Sequence, residues 1–284
     1  MAAHFKWYPS SEEVIVPWNA RYAYPSQANK SMKMTPRIPP KNGSDFAPGS
    51  VIRLEFPAQG YVNPMNTTLS FDVVLTAPAG ATDYALRIQN NIQSLFARVR
   101  LLYGATPIED IINYNVIVRS LTEWTGTNQL GVSDQSSIAE GIAGYVSMGS
   151  AQANYRQAML HGISNTTGTT NPGPLNYVPN NITNTATRRY QVNFALGMFT
   201  QDKLIPTKFM ASQLAIEITL ENVASCLYLA STKGDTVTTQ PSYLVKNVNL
   251  IPEIMEFDSS YDQMFLKGLQ DGGVPIKFSS WFDL

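Results

Sequence analysis

The sequence has few of the residues from which reactive or metal-binding sites are built. It contains one cysteine, Cys226, and two histidines, His4 and His161. A single cysteine cannot form a disulfide within the chain, and it excludes sites made from several thiolates. Zinc hydrolases and histidine-based nucleophile systems need more of these residues than the chain has. The sequence therefore predicts no catalytic residue, no cofactor-binding residue and no metal ligand, and it argues against an enzyme.

Charge and long apolar segments are also scarce. Charged residues make up 14% of the 284 residues, and 20 basic side chains nearly balance 21 acidic ones, for a net charge of -1. Proteins that wrap nucleic acid through their overall charge are usually strongly basic, and a weakly charged surface gives little protection against self-association. No apolar run approaches the ~18 residues of a membrane-spanning helix. The first 17 residues carry charges and Trp7 where a signal peptide needs an apolar stretch. We therefore expect a self-associating protein without a membrane span and without export by a signal peptide.

Residues 1–45 are predicted to form an extended N-terminal arm. Prolines at positions 9, 17, 25, 36, 39 and 40 interrupt regular backbone pairing. Between Asn29 and Lys41 the arm has four basic residues and no acidic one. Such an arm could contact nucleic acid, but the pattern is weak because real phosphate-binding residues cluster on one face. The favoured interpretation is a segment that lies over neighbouring copies of the chain.

Residues 46–257 show the alternation of apolar and polar residues that is typical of strands with one buried face. Several strands follow one another with no helix between them, which indicates antiparallel pairing. A further run, residues 95–103, is expected to place Phe96, Arg98 and Arg100 on one face. The predicted fold class is an all-β, antiparallel jelly-roll sandwich. The side chains expected to be buried between its sheets are Leu54, Phe71, Val73, Val192, Phe194, Ile216 and Ile218.

One or two short helices are expected beside the strands. Thr106, Pro107 and Glu109 have the spacing of a capping box, which predicts a helix that begins at Thr106. Asp110 fits the same helix because an acid near a helix N-terminus is favourable. Within the predicted sandwich, residues 125–187 are rich in Gly, Ser, Thr, Asn and Gln. They are predicted to form a long loop excursion that projects from one end of the barrel.

The last predicted region, residues 258–284, contains a helix and a strand. Asp258 is a candidate N-cap, Met264, Phe265 and Leu269 form an apolar helix face, and Gly272 and Gly273 end the helix. Alternation then resumes from Ile276 to Phe282. This region is expected to lead to a second barrel or to a contact between subunits, because Trp281 and Phe282 are unusual at a solvated chain end.

Individual residues with possible chemistry have simpler structural interpretations. His161 has no second metal-ligating residue nearby in the sequence, and Cys226 is expected to be a small core residue. Glu109 and Asp110 are assigned to the helix cap, so they are not predicted as a catalytic pair. For Arg98 and Arg100, two alternatives stay open: ion pairs with acids across a subunit contact, or a solvated face.

Six segments of the chain match a pattern of strands and turns found in a known family. They are residues 51–57 (VIRLEFP), 66–72 (NTTLSFD), 104–114 (GATPIEDIINY), 194–199 (FALGMF), 204–206 (LIP) and 214–220 (LAIEITL). Together they resemble the first jelly roll of the major capsid proteins of double-jelly-roll DNA viruses, the polinton-like virus and virophage group. The resemblance implies a viral capsid protein that self-assembles, as a homotrimer and with other capsid proteins, into an icosahedral shell. It also implies a location in the virion, with assembly inside the host cell.

That family carries two jelly rolls in tandem, whereas the strands predicted here fill about one. The chain could therefore be the first half of a longer product, or a single-barrel penton or minor capsid protein. A jelly-roll carbohydrate-binding module is the alternative from another class. It is disfavoured because the excursion has neither an acid cluster nor an aromatic platform, and an enzyme comes third.

Overall fold

Antiparallel strands hold 49% of the residues that a computed structural model describes, which are residues 31–78, 84–88, 91–125, 162–165, 185–231, 240–270, 273 and 275–280. Three α-helices accompany the strands in these ranges: α1 (Tyr114–Thr125), α2 (Val223–Cys226) and α3 (Ser259–Gln270). The strands are β1 (Ser31–Met34), β2 (Asp45–Phe46), β3 (Val51–Glu55), β4 (Tyr61–Thr76), β5 (Tyr84–Ile88), β6 (Phe96–Tyr103), β7 (Thr106–Ile112), β8 (Gly162–Asn165), β9 (Thr185–Asn193), β10 (Leu214–Leu220), β11 (Leu227–Ser231) and β12 (Ser242–Phe257).

The strands are arranged in two larger sheets and one small sheet. The first sheet has the order β1-β12-β4-β9, with β2 also paired to β12, and the second has the order β3-β10-β6-β7. The small sheet has the order β11-β5-β8. All of the ladders are antiparallel. The predicted all-β jelly-roll class is confirmed.

The core lies on the inner faces of the two larger sheets. Every side chain that the alternation predicts to face inward is buried, with at most 5% of its surface exposed. Phe71 of β4 joins the two sheets, because its ring centroid lies 5.6 Å from that of Phe96 in β6 and 6.2 Å from that of Tyr190 in β9. Alternating burial on facing strands is what an aligned β-sandwich requires.

The predicted face of β6 is wrong at Phe96. Phe96 is buried together with Val99 and Leu101, whereas Arg98 is half-buried on the outer face. The cause is a β-bulge: Thr219 pairs with Arg98, but Leu220 pairs with Phe96, so β6 holds one extra residue. A bulge shifts the alternation by one residue and turns the preceding side chain to the other face.

The predicted helix start at Thr106 is also wrong. Thr106–Ile112 is β7, which forms a hairpin with β6 across a turn at Gly104, where φ is +62°. Helix α1 begins at Tyr114, directly after Asn113, whose φ of 57° changes the chain direction. Glu109 and Ile111 of β7 point into the interior, so the residues with the capping-box spacing form a strand and not a helix start.

Two long strands contain proline: Pro64 lies in β4 and Pro252 lies in β12. The register between these two strands slips between Ile251 and Glu253, at Pro252. Bulges are the usual positions for proline inside a sheet because the ladder hydrogen bond is already interrupted there.

Helix α3 is confirmed with its predicted cap. The Asp258 side chain accepts the backbone N–H of Tyr261 at 3.1 Å, and Gly273, with φ +86°, donates its N–H to the Leu269 carbonyl at 3.1 Å. The apolar face is only partly as predicted: Phe265 and Leu269 turn inward, but Met264 is 64% exposed. The strand predicted from Ile276 is wrong for residues 275–280, which form no ladder.

Other predictions fall partly or wholly outside the described residues. Within the predicted arm, β1 pairs with β12 and Ile38 bridges Leu250. Within the predicted excursion, β8 pairs with β5 and β9 begins at Thr185. Residues 1–30, 126–161, 166–184 and 281–284, with His161, Trp281 and Phe282 among them, lie outside the described ranges. No helix in the described part of the chain has the length and apolar character needed to cross a membrane.

Candidate functional site

Cys226 is placed where a thiol cannot react readily. It is fully buried at the end of α2, and its Sγ donates to the Asn222 carbonyl at 3.2 Å. Burial raises the pKa of the Cys226 thiol to about 12, so the reactive thiolate is disfavoured. Across the described ranges, His, Cys, Asp and Glu form no group of three that could hold a metal ion.

Glu109 is a buried carboxylate that joins three parts of the chain. Only 2% of the residue is exposed. Its Oε1 accepts the N–H of Gly197, and its Oε2 accepts the N–H of Met198, both at 2.9 Å. Oε1 also accepts the hydroxyl of Ser280 at 2.8 Å. Glu109 therefore fixes the turn that follows β9 and the extended segment 275–280 to the same strand.

Arg98 and Arg100 pair with acids of the same chain on the outer face of the second sheet. Arg98 binds Asp110 through two hydrogen bonds of 2.7 and 2.5 Å. Glu217 bridges Arg53 at 2.8 Å and Arg100 at 2.5 Å. The three strands β3, β10 and β6 place these side chains opposite one another by register. The side chains of Arg98 and Arg100 are 38% and 34% exposed, so this face is partly solvated, and the acidic partners of both arginines lie within the chain.

The pair formed by Arg98 and Asp110 gives a testable pH dependence. The hydrogen bond from Arg98 lowers the pKa of Asp110 below its ordinary value of 3.8. The pair's contribution to stability is therefore complete above that ordinary value, and it is lost as the pH falls through the lower pKa of the folded protein. We expect Asp110→Asn to reduce the free energy of unfolding by about 0.5 kcal/mol at pH 7, a small loss because solvent screens this partly exposed pair.

Urea denaturation at pH 7 and at pH 2.5 measures this difference. The difference in stability between the variant and the wild-type protein should shrink at the lower pH. Asp45→Asn is a matched control, because Asp45 is 51% exposed in its pair with Lys246 and should matter less. A difference for Asp110→Asn that persists undiminished at pH 2.5 would show that the ion pair is not its source.

The two edges of the second sheet differ in protection. At the β3 edge, the Lys41 N–H donates to the Arg53 carbonyl at 2.9 Å, and the Asn42 side chain bonds both the Val51 carbonyl and the Arg53 N–H. At the β7 edge, no strand of the described ranges pairs with β7 other than β6. Pro107 removes a backbone donor only at the start of β7, so within the described residues the rest of the strand is an edge of the sheet with no second partner strand.

Apolar side chains are exposed at this edge. Ile112 at the end of β7 is 50% exposed, and Val116 in the first turn of α1 is 56% exposed. Large exposed apolar side chains beside an unpaired backbone are a liability in a protein that stays monomeric. We call Ile112, Val116 and the outer backbone of β7 the β7 edge.

Helix α3 is attached to the barrel by an aromatic cluster. The Tyr61 ring centroid lies 5.2 Å from Phe257, 5.6 Å from Tyr261 and 5.5 Å from Phe265. Asp262 of α3 accepts the Tyr61 hydroxyl at 3.0 Å and pairs with Lys208 at 2.5 Å. Burial, followed by the hydrogen bond to Asp262, raises the pKa of Tyr61 above its ordinary value. The sequence predicts the helix but not its attachment, because Tyr61 and Asp262 are about 200 residues apart in the chain.

Comparisons with known proteins give structural neighbours only. No family model and no curated protein matches the chain. A quasi-atomic model of the PBCV-1 virus capsid has 13% identity and a TM-score of 0.43, covering 86% of this chain and 46% of that chain. The Faustovirus major capsid protein has 10% identity and a TM-score of 0.45, covering 90% and 59%. The mavirus major capsid protein has 9% identity and a TM-score of 0.37, covering 96% and 52%.

The chain thus spans about half the length of the solved structures that it matches. The structural neighbours are major capsid proteins of double-jelly-roll viruses, the family that the sequence patterns resemble.

Proposed function

We propose that this chain is a structural subunit of a viral capsid, which associates with further copies through the β7 edge. The observation that carries the proposal is the contrast between the two edges of one sheet. The β3 edge is covered by Lys41 and Asn42, while β7 pairs only with β6 within the described residues and has Ile112 exposed. Monomeric β proteins protect such edges, so an open edge next to protected ones favours a contact with another chain.

The outer face of the second sheet favours association for a second reason. Four cations, Lys41, Arg53, Arg98 and Arg100, pair there with the three carboxylates of Glu55, Glu217 and Asp110. Removing a charged side chain from water costs less free energy when that side chain already has an oppositely charged partner within the chain. A neighbouring copy that lies against this face therefore covers cations that each have an acidic partner, with one net positive charge among the seven groups.

In this proposal the copies form homotrimers, and the trimers pack with other capsid proteins into an icosahedral shell. The chain performs no chemistry and holds no cofactor, and its location is the virion, assembled in the host cell. Residues 1–30 of the predicted 1–45 arm lie over neighbouring copies, with a secondary contact to nucleic acid, whereas residues 31–45 pack on the chain's own sheets. Residues 46–257 supply the barrel, residues 125–187 supply an outer contact, and residues 258–284 lead to a second barrel or to a neighbouring subunit.

Light scattering of the full chain over a range of concentrations tests the proposal. We expect association to oligomers, with closed particles visible by negative-stain imaging. Ile112→Lys should raise the concentration of half-association at least about tenfold, because a charge on an edge strand opposes pairing with another chain. Val51→Lys is the matched control, since Val51 is 38% exposed at the start of the covered edge strand.

Two outcomes would contradict the proposal. The first is a full chain that stays monomeric at its highest attainable concentration and binds a glycan or turns over a substrate. The second is equal weakening by Ile112→Lys and Val51→Lys, which would remove the β7 edge as the contact.

A further inference from the structure

Residues 275–280 lie against the barrel as an extended segment outside every sheet of the described chain. Exposure alternates along it: Ile276, Phe278 and Ser280 are half-buried, and the residues between them are exposed. Ile276 and Phe278 pack against the hydrophobic core cluster. The segment therefore lies in a groove and presents every second side chain to it, as a bound peptide does.

The polar end of this groove is Glu109. Two of its hydrogen bonds come from backbone N–H groups of the barrel, at Gly197 and Met198, and these hold the carboxylate in place. The third comes from Ser280 of the segment. The barrel thus presents a fixed, buried acceptor to one hydroxyl of the segment, and hydrogen bonds to a charged group are the stronger ones.

Gly197 supplies the space in which the segment crosses the barrel. A Cβ atom at this position would lie 1.6 Å from the Ser279 carbonyl oxygen and 2.6 Å from its carbonyl carbon. Both contacts are with backbone, which cannot rotate away as a side chain can. Only glycine therefore leaves room for the segment on its present path.

The segment can leave the groove without unfolding the barrel. It follows the end of α3 through Gly273, whose φ of +86° makes a sharp turn. Its described contacts include the apolar packing of Ile276 and Phe278 and the hydrogen bond from Ser280 to Glu109, and no β ladder of the described chain has to break when it undocks. Elements held by few contacts open locally at a small fraction of the global free energy of unfolding.

We propose that the groove at Glu109 and Gly197 is a peptide-docking site that also takes the 275–280 segment of a second copy of this chain. The same contacts form whether the segment comes from the same copy or from another, so exchange costs little once a hinge permits it. The proposal rests on the proposed function in one respect: copies packed side by side raise the effective concentration of the segment near a neighbour's groove.

Isotope-mixed cross-linking of the full chain tests the exchange. A Lys277→Cys variant of normal isotopic composition carries a benzophenone maleimide, attached at an exposed position, while the buried Cys226 thiol stays unlabelled. It is mixed with an equal amount of 15N-labelled wild-type chain, illuminated, digested and analysed by mass spectrometry. We expect at least one in ten of the cross-links from the segment to peptides around Glu109 or Gly197 to join light to heavy chains.

Matched variants identify the groove as the receiving site. Ser280→Ala should reduce the groove cross-links several-fold, while Ser279→Ala, at an exposed neighbouring position, should leave them unchanged. Gly197→Ala should abolish them. Equal effects of the two serine variants would remove Glu109 as the acceptor that holds the segment.

The outcomes separate this inference from the proposed function. Suppose that light scattering shows association but every groove cross-link joins light to light chains. This result overturns the exchange and leaves the capsid proposal standing. Light-to-heavy groove cross-links support the exchange whether or not larger particles form. Absence of association at every concentration contradicts both proposals, whereas light-to-heavy groove cross-links in dimers that never form larger assemblies contradict the capsid proposal alone.

Discussion

Replacement of Phe71 by alanine is expected to lower the free energy of unfolding by about 3–5 kcal/mol. Phe71 is fully buried between the two larger sheets, and its ring contacts Phe96 of one sheet and Tyr190 of the other. Removal of the ring leaves a cavity that neither sheet can close, because each is held by its own ladders. Urea denaturation followed by far-UV circular dichroism measures the loss.

Met65→Ala is the control for this variant. Met65 lies on the same strand but is 54% exposed, so its replacement should change stability by no more than about 0.5 kcal/mol. A loss below about 1 kcal/mol for Phe71→Ala would mean that the inner face of β4 is assigned to the wrong side.

The sheets could be predicted from the sequence because a strand that is buried on one face has apolar and polar residues in alternation. Leu69, Phe71 and Val73 are apolar at every second position because β4 has a polar outer face, and each is buried. The cap of α3 was predictable for the same reason, since Asp258 and the N–H that it accepts are three residues apart. Patterns that are complete within a few residues need no knowledge of the fold.

Features that depend on distant partners could not be predicted in this way. The bulge that buries Phe96 is defined by its pairing with Leu220 on another strand. The Thr-x-x-Glu spacing at Thr106 and Glu109 suits a helix cap equally well, and tertiary structure decides against it. Glu109 accepts hydrogen bonds from Gly197 and Met198, which lie 88 and 89 positions further along the chain. The residues next to Glu109 in the sequence do not indicate these partners.

The candidate site was missed for a related reason. An open edge is a property of a sheet, and Ile112 has no sequence feature that separates it from buried Ile111 except its place in the alternation. The covering of the opposite edge by Asn42 depends on a loop within the predicted arm. The one local hint was the glycine at position 197, whose role becomes clear only when Ser279 is seen to cross it.

Replacement of Glu109 by alanine is expected to lower the free energy of unfolding by about 2–4 kcal/mol, because the backbone N–H groups of Gly197 and Met198 then stay buried without an acceptor. The same change removes the acceptor for Ser280. The segment 275–280 should therefore undock, and trypsin should cleave after Lys277 several times faster than in the wild-type chain. Urea denaturation and timed digestion measure the two effects separately.

Glu109→Gln separates the loss of charge from the loss of acceptors. Its single amide oxygen can replace Oε1, which serves Gly197 and Ser280, but its NH₂ group then faces the Met198 N–H, and two donors repel. We therefore expect about half the loss of the alanine variant and an intact contact with Ser280, so cleavage after Lys277 should stay slow. Fast cleavage in the glutamine variant would show that the charge holds the segment, and unchanged stability in the alanine variant would show that Glu109 does not join the three parts of the chain.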